Sequence, residues 1–129
     1  MQEIFGQPSG NASRERTVVV RGDAGDWEES EVAGFRTRTL FQDPVAGETT
    51  TLMQMDPGAS AAVHSHEQIE QIYVIEGSFS DDAGTYRAGD YLVRPPGADH
   101  ATWSEEGGLV LLVYTDPRTG GAGSAARAQ

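Results

Sequence analysis

The sequence predicts an all-β domain, a small sandwich or barrel of short antiparallel strands. Three observations carry this expectation. Runs of β-branched and aromatic residues recur at intervals of roughly eight to twelve residues, with turn signals between them. Glycine and proline are frequent, at 16 and 6 of 129 residues, as many tight turns require. No window shows apolar residues sustained at helical spacing with caps at its ends.

The strands follow in order. Thr17 to Val20 is a β-branched run closed by Gly22, Asp23 and Gly25. Gly34 to Phe41 alternates unevenly and stops at Asp43-Pro44. Glu48 to Met55 is rich in threonine and methionine and ends at the Asp56-Pro57-Gly58 turn. Gln68 to Glu76 is the cleanest strand, with Ile69, Ile72, Tyr73, Val74 and Ile75 before Gly77. Ser78 to Ser80, Thr85 to Arg87 and Tyr91 to Arg94 are short strands, parted by Asp81-Asp82-Ala83-Gly84 and Ala88-Gly89-Asp90. His100 to Trp103 and Leu109 to Thr115 complete the set. Residues 16–117 thus form one barrel domain. Residues 1–15 lack periodicity and are expected to be a flexible arm or a swapped edge strand. Residues 118–129 are Gly- and Ala-rich and are expected to be a mobile tail.

Charge and composition exclude several functions. With 9 basic against 20 acidic residues the formal net charge is −11. Such a surface repels polyphosphate and anionic lipid, so neither nucleic acid nor membrane is an expected partner. The absence of cysteine removes disulfides, thiolate zinc sites and thiol nucleophiles. The N-terminal stretch MQEIFGQPSG lacks the basic and apolar regions of a signal peptide, and no apolar run approaches membrane-spanning length. A cytoplasmic location is therefore expected.

The informative residues are the histidines, which number three: His64, His66 and His100. On extended backbone His64 and His66 share a face, and Glu70 keeps the same parity four residues on. The pattern aims two imidazoles and a carboxylate into one space. Neutral imidazole and carboxylate suit Zn, Fe(II), Ni, Mn or Cu. His100 follows the Arg94-Pro95-Pro96-Gly97 turn, which can swing a neighbouring strand alongside.

Here the sequence resembles the cupin family. The first cupin motif reads Gly, five residues, His-x-His, three residues, Glu, six residues, Gly. Gly58, His64, His66, Glu70 and Gly77 meet every spacing. The second is met by Gly89, Pro95, Gly97 and His100, with Ser104 where asparagine is frequent. That departure touches no metal ligand, only a local turn contact. Eleven residues part the two motifs, as in compact bacterial members. The segment from Gly77 to Gly89, with Arg94-Pro95-Pro96-Gly97 and His100, is similar to one subgroup. That subgroup holds the zinc-binding cupin domain of anti-sigma factors and cupins resembling acetylacetone- and dihydroxyacetophenone-cleaving dioxygenases. The resemblance implies a double-stranded β-helix, a jelly-roll-like conical barrel of two antiparallel sheets. It implies one divalent metal per chain (Fe(II), Zn, Ni or Mn) held by His64, His66, Glu70 and His100, and it implies homodimers. Gly58, Gly77, Gly89, Pro95 and Gly97 would shape the turns.

Glu70 could instead serve as a base. By parity Ile72 and Val74 follow Glu70 inward and Thr102 follows His100; Met53 or Met55 would line the facing strand. Trp103 and Trp27 read as packing residues. Arg36, Arg38 and Arg94 are candidates for an anionic substrate, or solvated arginines balancing acidic neighbours. Two functions follow. The first is a metal-dependent enzyme, a dioxygenase or related oxidoreductase or lyase acting on a small carbonyl or phenolic compound. The second is a non-catalytic metal-binding sensor like the anti-sigma cupin. The short, cysteine-free N-terminal segment ranks the enzyme first. A metal that merely stabilises the barrel is a third reading.

Overall fold

A computed structural model describes residues 16–117, and among them there is no helix. Nine strands run in chain order: β1 Glu28–Glu29, β2 Phe35–Asp43, β3 Glu48–Met55, β4 Ser60–His64, β5 Ile69–Asp81, β6 Gly84–Arg87, β7 Tyr91–Arg94, β8 His100–Trp103 and β9 Gly108–Thr115. Every pairing is antiparallel. One sheet runs β1-β2-β3-β9-β5-β7; the other joins the far half of β5 to β6 and β8, and β8 to β4. The two curl into the expected all-β barrel.

The strand β5 explains how one element serves both sheets. Glu70, Ile72 and Val74 are buried, so even residues face inward up to that point. The β5–β9 register then shifts between Val74 and Glu76, leaving Ile75 as an extra residue. An inserted residue bends a strand and reverses its parity. Beyond the bulge Phe79 and Asp81 are buried. Gly77 completes the bend at φ +69, and a Cβ there would collide with the Gly107 carbonyl. The expectation that Gly77 ends the strand is therefore corrected: β5 continues to Asp81, because glycine can turn the corner without breaking the pairing.

Phe35, Met55, Ile72, Val74, Phe79, Val110 and Leu112 fill the core. Burying side chains of this size stabilises the fold by about 1.5–3 kcal/mol each. The β-branched run Thr17 to Val20 is no strand, and it pairs with none of the strands among the described residues. Two strands went unpredicted: β1, with only two exposed glutamates, and β4, whose alternation is broken by a register shift between Ala61 and His64. Expectations for residues 1–15 and 118–129 lie outside the described residues.

The motif glycines sit at left-handed turns. Gly58, Gly89 and Gly97 have φ of +87, +95 and +82, conformations that cost other residues dearly. Pro57 before Gly58, with the Ala59 N–H donating to the Asp56 carbonyl, is the pattern of a type II turn. Ser104 makes its own turn contact: its hydroxyl donates to the Ser78 carbonyl at 2.7 Å and accepts the Gly107 N–H at 2.8 Å.

Candidate metal centre

His64 ends β4 and His100 opens β8, and the two are register partners. Their ring centroids lie 4.4 Å apart. His66 lies beyond the end of β4, in the crossing to β5, so the H-x-H-x-x-x-E segment is not one extended strand. What holds His66 is the second motif: the Gly97 N–H donates to the His66 carbonyl at 2.7 Å. Its ring sits 5.2 Å from His64 and 5.8 Å from His100. One ligand atom from each of the three histidines lies within 4.8 Å of the others. Two imidazoles bound at ~2.1 Å to one ion stand at most about 4 Å apart, so small ring rotations suffice.

Tautomers are set locally. Nδ1 of His64 lies 2.9 Å from the Ala62 carbonyl, and Nδ1 of His100 lies 3.2 Å from the Ala98 carbonyl. A carbonyl only accepts, so each Nδ1 carries the hydrogen and donates. Each Nε2 keeps its lone pair for a cation, the arrangement typical of metal-ligating histidine. Burial, then the positive charge of Arg94, lowers the pKa of His100 and favours the neutral, ligating ring. The three histidines thus suit a divalent metal.

Glu70 stands outside this group. Its Oε1 is 3.8 Å from His100 Nε2. Cross-strand neighbours hold both its oxygens, and both are its register partners. Arg94 Nη1 on β7 donates to Oε1 at 3.1 Å, and the Tyr114 hydroxyl on β9 donates to Oε2 at 2.9 Å. Arg94 Nη2 also donates to Asp81 Oδ2 at 2.7 Å, and the Tyr86 hydroxyl donates to Asp81 Oδ1 at 2.8 Å. A chain Tyr114–Glu70–Arg94–Asp81–Tyr86, buried at its three charged members and partly buried at both tyrosines, therefore ties the two sheets together beside the histidines. Burial alone would raise the Asp81 carboxyl; the hydrogen bonds from Arg94, Tyr86 and the Ala83 N–H outweigh it and hold the group below the usual carboxylate range. Burial, then the Glu70 charge, pushes the Tyr114 hydroxyl well above the ordinary tyrosine value.

The arginines are engaged internally. Arg36 pairs with Asp56, and Arg38 donates to the Arg21 and Gly22 carbonyls. Arg94 is committed to two carboxylates. Arg36 matches the reading of a solvent-accessible arginine balancing acidic neighbours, since the side chains of its partners Asp56 and Glu29 are solvent-accessible. For Arg38 and Arg94 that reading is corrected, because both are buried with their guanidinium groups bonded within the fold.

The histidines open onto a cavity of about 400 Å³. Its walls include Phe35, Ile72, Phe79, Val110 and Leu112, with Val32 and Val63 exposed. Met53 and Thr102 line it as well. Val74 does not: it is fully buried in the core, one residue before the bulge. Met55 likewise packs into the core. Tyr114 and Asp81 were missed as site residues. Tyr114 shares parity with Val110 and Leu112, a signal that marks it as inward. Asp81 reads as a turn residue, and its Oδ1 does accept the Ala83 and Gly84 amides; its link to Arg94 has no local signal.

Solved structures share this arrangement of strands. An RmlC-like cupin from Shewanella frigidimarina is 25% identical, at a TM-score of 0.66 over 76% of this chain and 89% of its own. The Rhodobacter sphaeroides complex of SigE with the anti-sigma ChrR matches at 22% identity and a TM-score of 0.62, over 75% of this chain and 51% of that one. This chain thus spans about half of it. The polyketide cyclase RemF from Streptomyces resistomycificus matches at 23% and a TM-score of 0.61, over 70% and 72%. No curated protein matches the sequence. The barrel, its histidines and a family model matched across residues 15–119 agree: the chain belongs to the family of the ChrR cupin-like domain.

Proposed function

We propose that the chain is a metal-dependent enzyme acting on a small, largely apolar compound that carries a carbonyl or phenolic oxygen. One observation carries the reading: three clustered histidines, with Nε2 left free on His64 and His100, face a 400 Å³ cavity whose other walls are mostly hydrocarbon. A divalent ion held there supplies Lewis-acid or redox chemistry, Fe(II) among the candidates for a dioxygenase. The chain's own residues do the rest. Phe35, Phe79, Val110 and Leu112 exclude water and seat the apolar body of the substrate. No arginine lining the cavity is spare for a phosphate or carboxylate, since Arg94 is already paired. Glu70 and Tyr114 place a carboxylate and a hydroxyl beside the histidines, where a proton can be held or passed.

The test is anaerobic loading with Fe(II), then oxygen-uptake assays with dicarbonyls and phenolic ketones, repeated with Zn, Ni and Mn for oxygen-independent conversion. Turnover that disappears in His100→Ala is expected. A folded, fully loaded protein inert with every metal and substrate would defeat the reading. A cytoplasmic location and a homodimer belong to the same proposal, and sedimentation velocity tests the dimer.

The family match favours one second reading, a regulatory module, because a structure of that family's anti-sigma factor is a complex with a sigma factor. Specific co-purification of a sigma factor, together with inert metal, would select it.

A further inference from the structure

We propose that the outer face of β7, β5, β9 and β3 is the surface on which two copies of this chain pack face to face. The inference rests on the homodimer reading above and names the surface that makes it. Metal binding does not enter it.

Sheet register assembles the face. Ile72, Leu92, Val110 and Leu112 point into the core, so their neighbours on each strand point out. Tyr73 stands opposite Tyr91 on β7 and Leu111 on β9. Leu111 stands opposite Leu52 on β3, so one apolar row crosses four strands. In the next row Val93 and Val113 flank Gln71. Tyr73, Ile75, Tyr91 and Val93 are 46%, 39%, 57% and 53% exposed, and they are half of the large hydrophobics that the described residues expose. An aromatic side chain offers about 150–250 Å², so the bare halves of the two tyrosines alone contribute about 200 Å². Ile75, Val93 and the partly buried leucines bring the patch to several hundred Å², an area that monomers rarely leave open. It is of the order of the ~800 Å² that each partner gives to a standard interface.

Charge selects the occupant. With 20 acidic residues and a net charge of −11, two copies repel wherever acid meets acid. The centre of this face carries no charge: its polar positions are Thr50, Gln54 and Gln71, and Glu48 and Glu76 stand only at its ends. A basic partner would find nothing there to pair with. An uncharged apolar face is complementary to itself, as a two-fold contact between identical chains requires. The Tyr91 hydroxyl donates to Gln71 Oε1 at 2.6 Å, which holds the ring in place before a partner arrives. A tyrosine ordered in advance gives contact area at small entropic cost. On the β2 side the chain covers itself. Arg38, the register partner of Leu52, is buried and donates to the Arg21 and Gly22 carbonyls. The bare patch begins where that cover ends.

Sedimentation velocity of the full chain across a concentration series tests this, with Tyr91→Glu and Val93→Glu on the face and Val45→Glu as a control. Val45 is 98% exposed in the β2–β3 turn, away from the face. The unaltered chain and Val45→Glu are expected to sediment as dimers. Tyr91→Glu and Val93→Glu are expected to sediment as monomers with unchanged melting behaviour, their self-affinity at least tenfold lower. Hydroxyl-radical labelling of the unaltered chain reads the same face without a substitution: Tyr73 and Tyr91 should be protected in the concentrated sample relative to a dilute one, and Val45 should not. A dimer that persists in both folded face variants, or whose tyrosines label as in the dilute sample, would overturn the inference and leave the homodimer reading standing. An unaltered chain that is monomeric throughout would defeat that reading, and the inference with it. A monomer whose tyrosines are nonetheless protected would put another part of the same chain on the face, and overturns the inference as well.

Discussion

The Gly97 amide donates to the His66 carbonyl at 2.7 Å, so the second motif's turn grips the first motif's histidine across 31 positions of chain. His66 lies outside any strand, and this bond substitutes for a ladder. Gly97 has φ +82 and open space where a Cβ would stand. Gly97→Ala should therefore cost only the backbone conformation, about 1–2 kcal/mol. The same change should weaken Zn binding in calorimetry, because the turn shifts under His66. Unaltered affinity would show that the Gly97 bond does not position the ring.

Arg94 neutralises two carboxylates, Glu70 and Asp81, and all three side chains are buried. Removing one partner of a buried pair strands the other charge, at a cost of about 3–5 kcal/mol. Urea unfolding of Arg94→Met should show a loss of that order. Combining it with Glu70→Gln and Asp81→Asn should recover most of it, since no unpaired charge then remains. A triple variant as unstable as the single one would argue that Arg94 acts by packing instead.

Asp81 supplies acid sensitivity. Its carboxyl is held below the unfolded value of 3.8, so its contribution is present above that pH and is lost as pH falls through the folded value. Urea midpoints measured from neutral pH down to pH 2 should drop less steeply for Asp81→Asn. Parallel curves would place the acid sensitivity in other carboxylates.

Tyr114 works at the opposite limit. Its hydroxyl is raised above the unfolded value of 10.0, so its contribution is complete below that pH and is lost as pH rises beyond it. Tyr114→Phe should flatten the alkaline limb of the stability profile. It should also cost about 1.5–3 kcal/mol at neutral pH through the lost bond to the Glu70 carboxylate. An unchanged alkaline limb in that variant would remove Tyr114 from this role.

The sequence by itself determined the strands whose signal is local and the residues whose spacing is fixed by turns. Glu48–Met55, Tyr91–Arg94 and His100–Trp103 have the bounds their composition predicts, because β-branched runs between glycine and proline turns leave few alternatives. The three histidines and the turn glycines were legible for the same reason. Thr17 to Val20 has the same propensity but no partner strand among the described residues, and propensity without pairing makes no ladder. Only the tertiary structure decided what surrounds the histidines. The bulge at Ile75 reverses the parity of β5 and turns Asp81 inward, and sheet register sets Arg94 and Tyr114 on either side of Glu70. These contacts join residues 13, 24 and 44 positions apart through buried charges. Such pairings depend on strand curvature and desolvation, which arise only when the barrel closes.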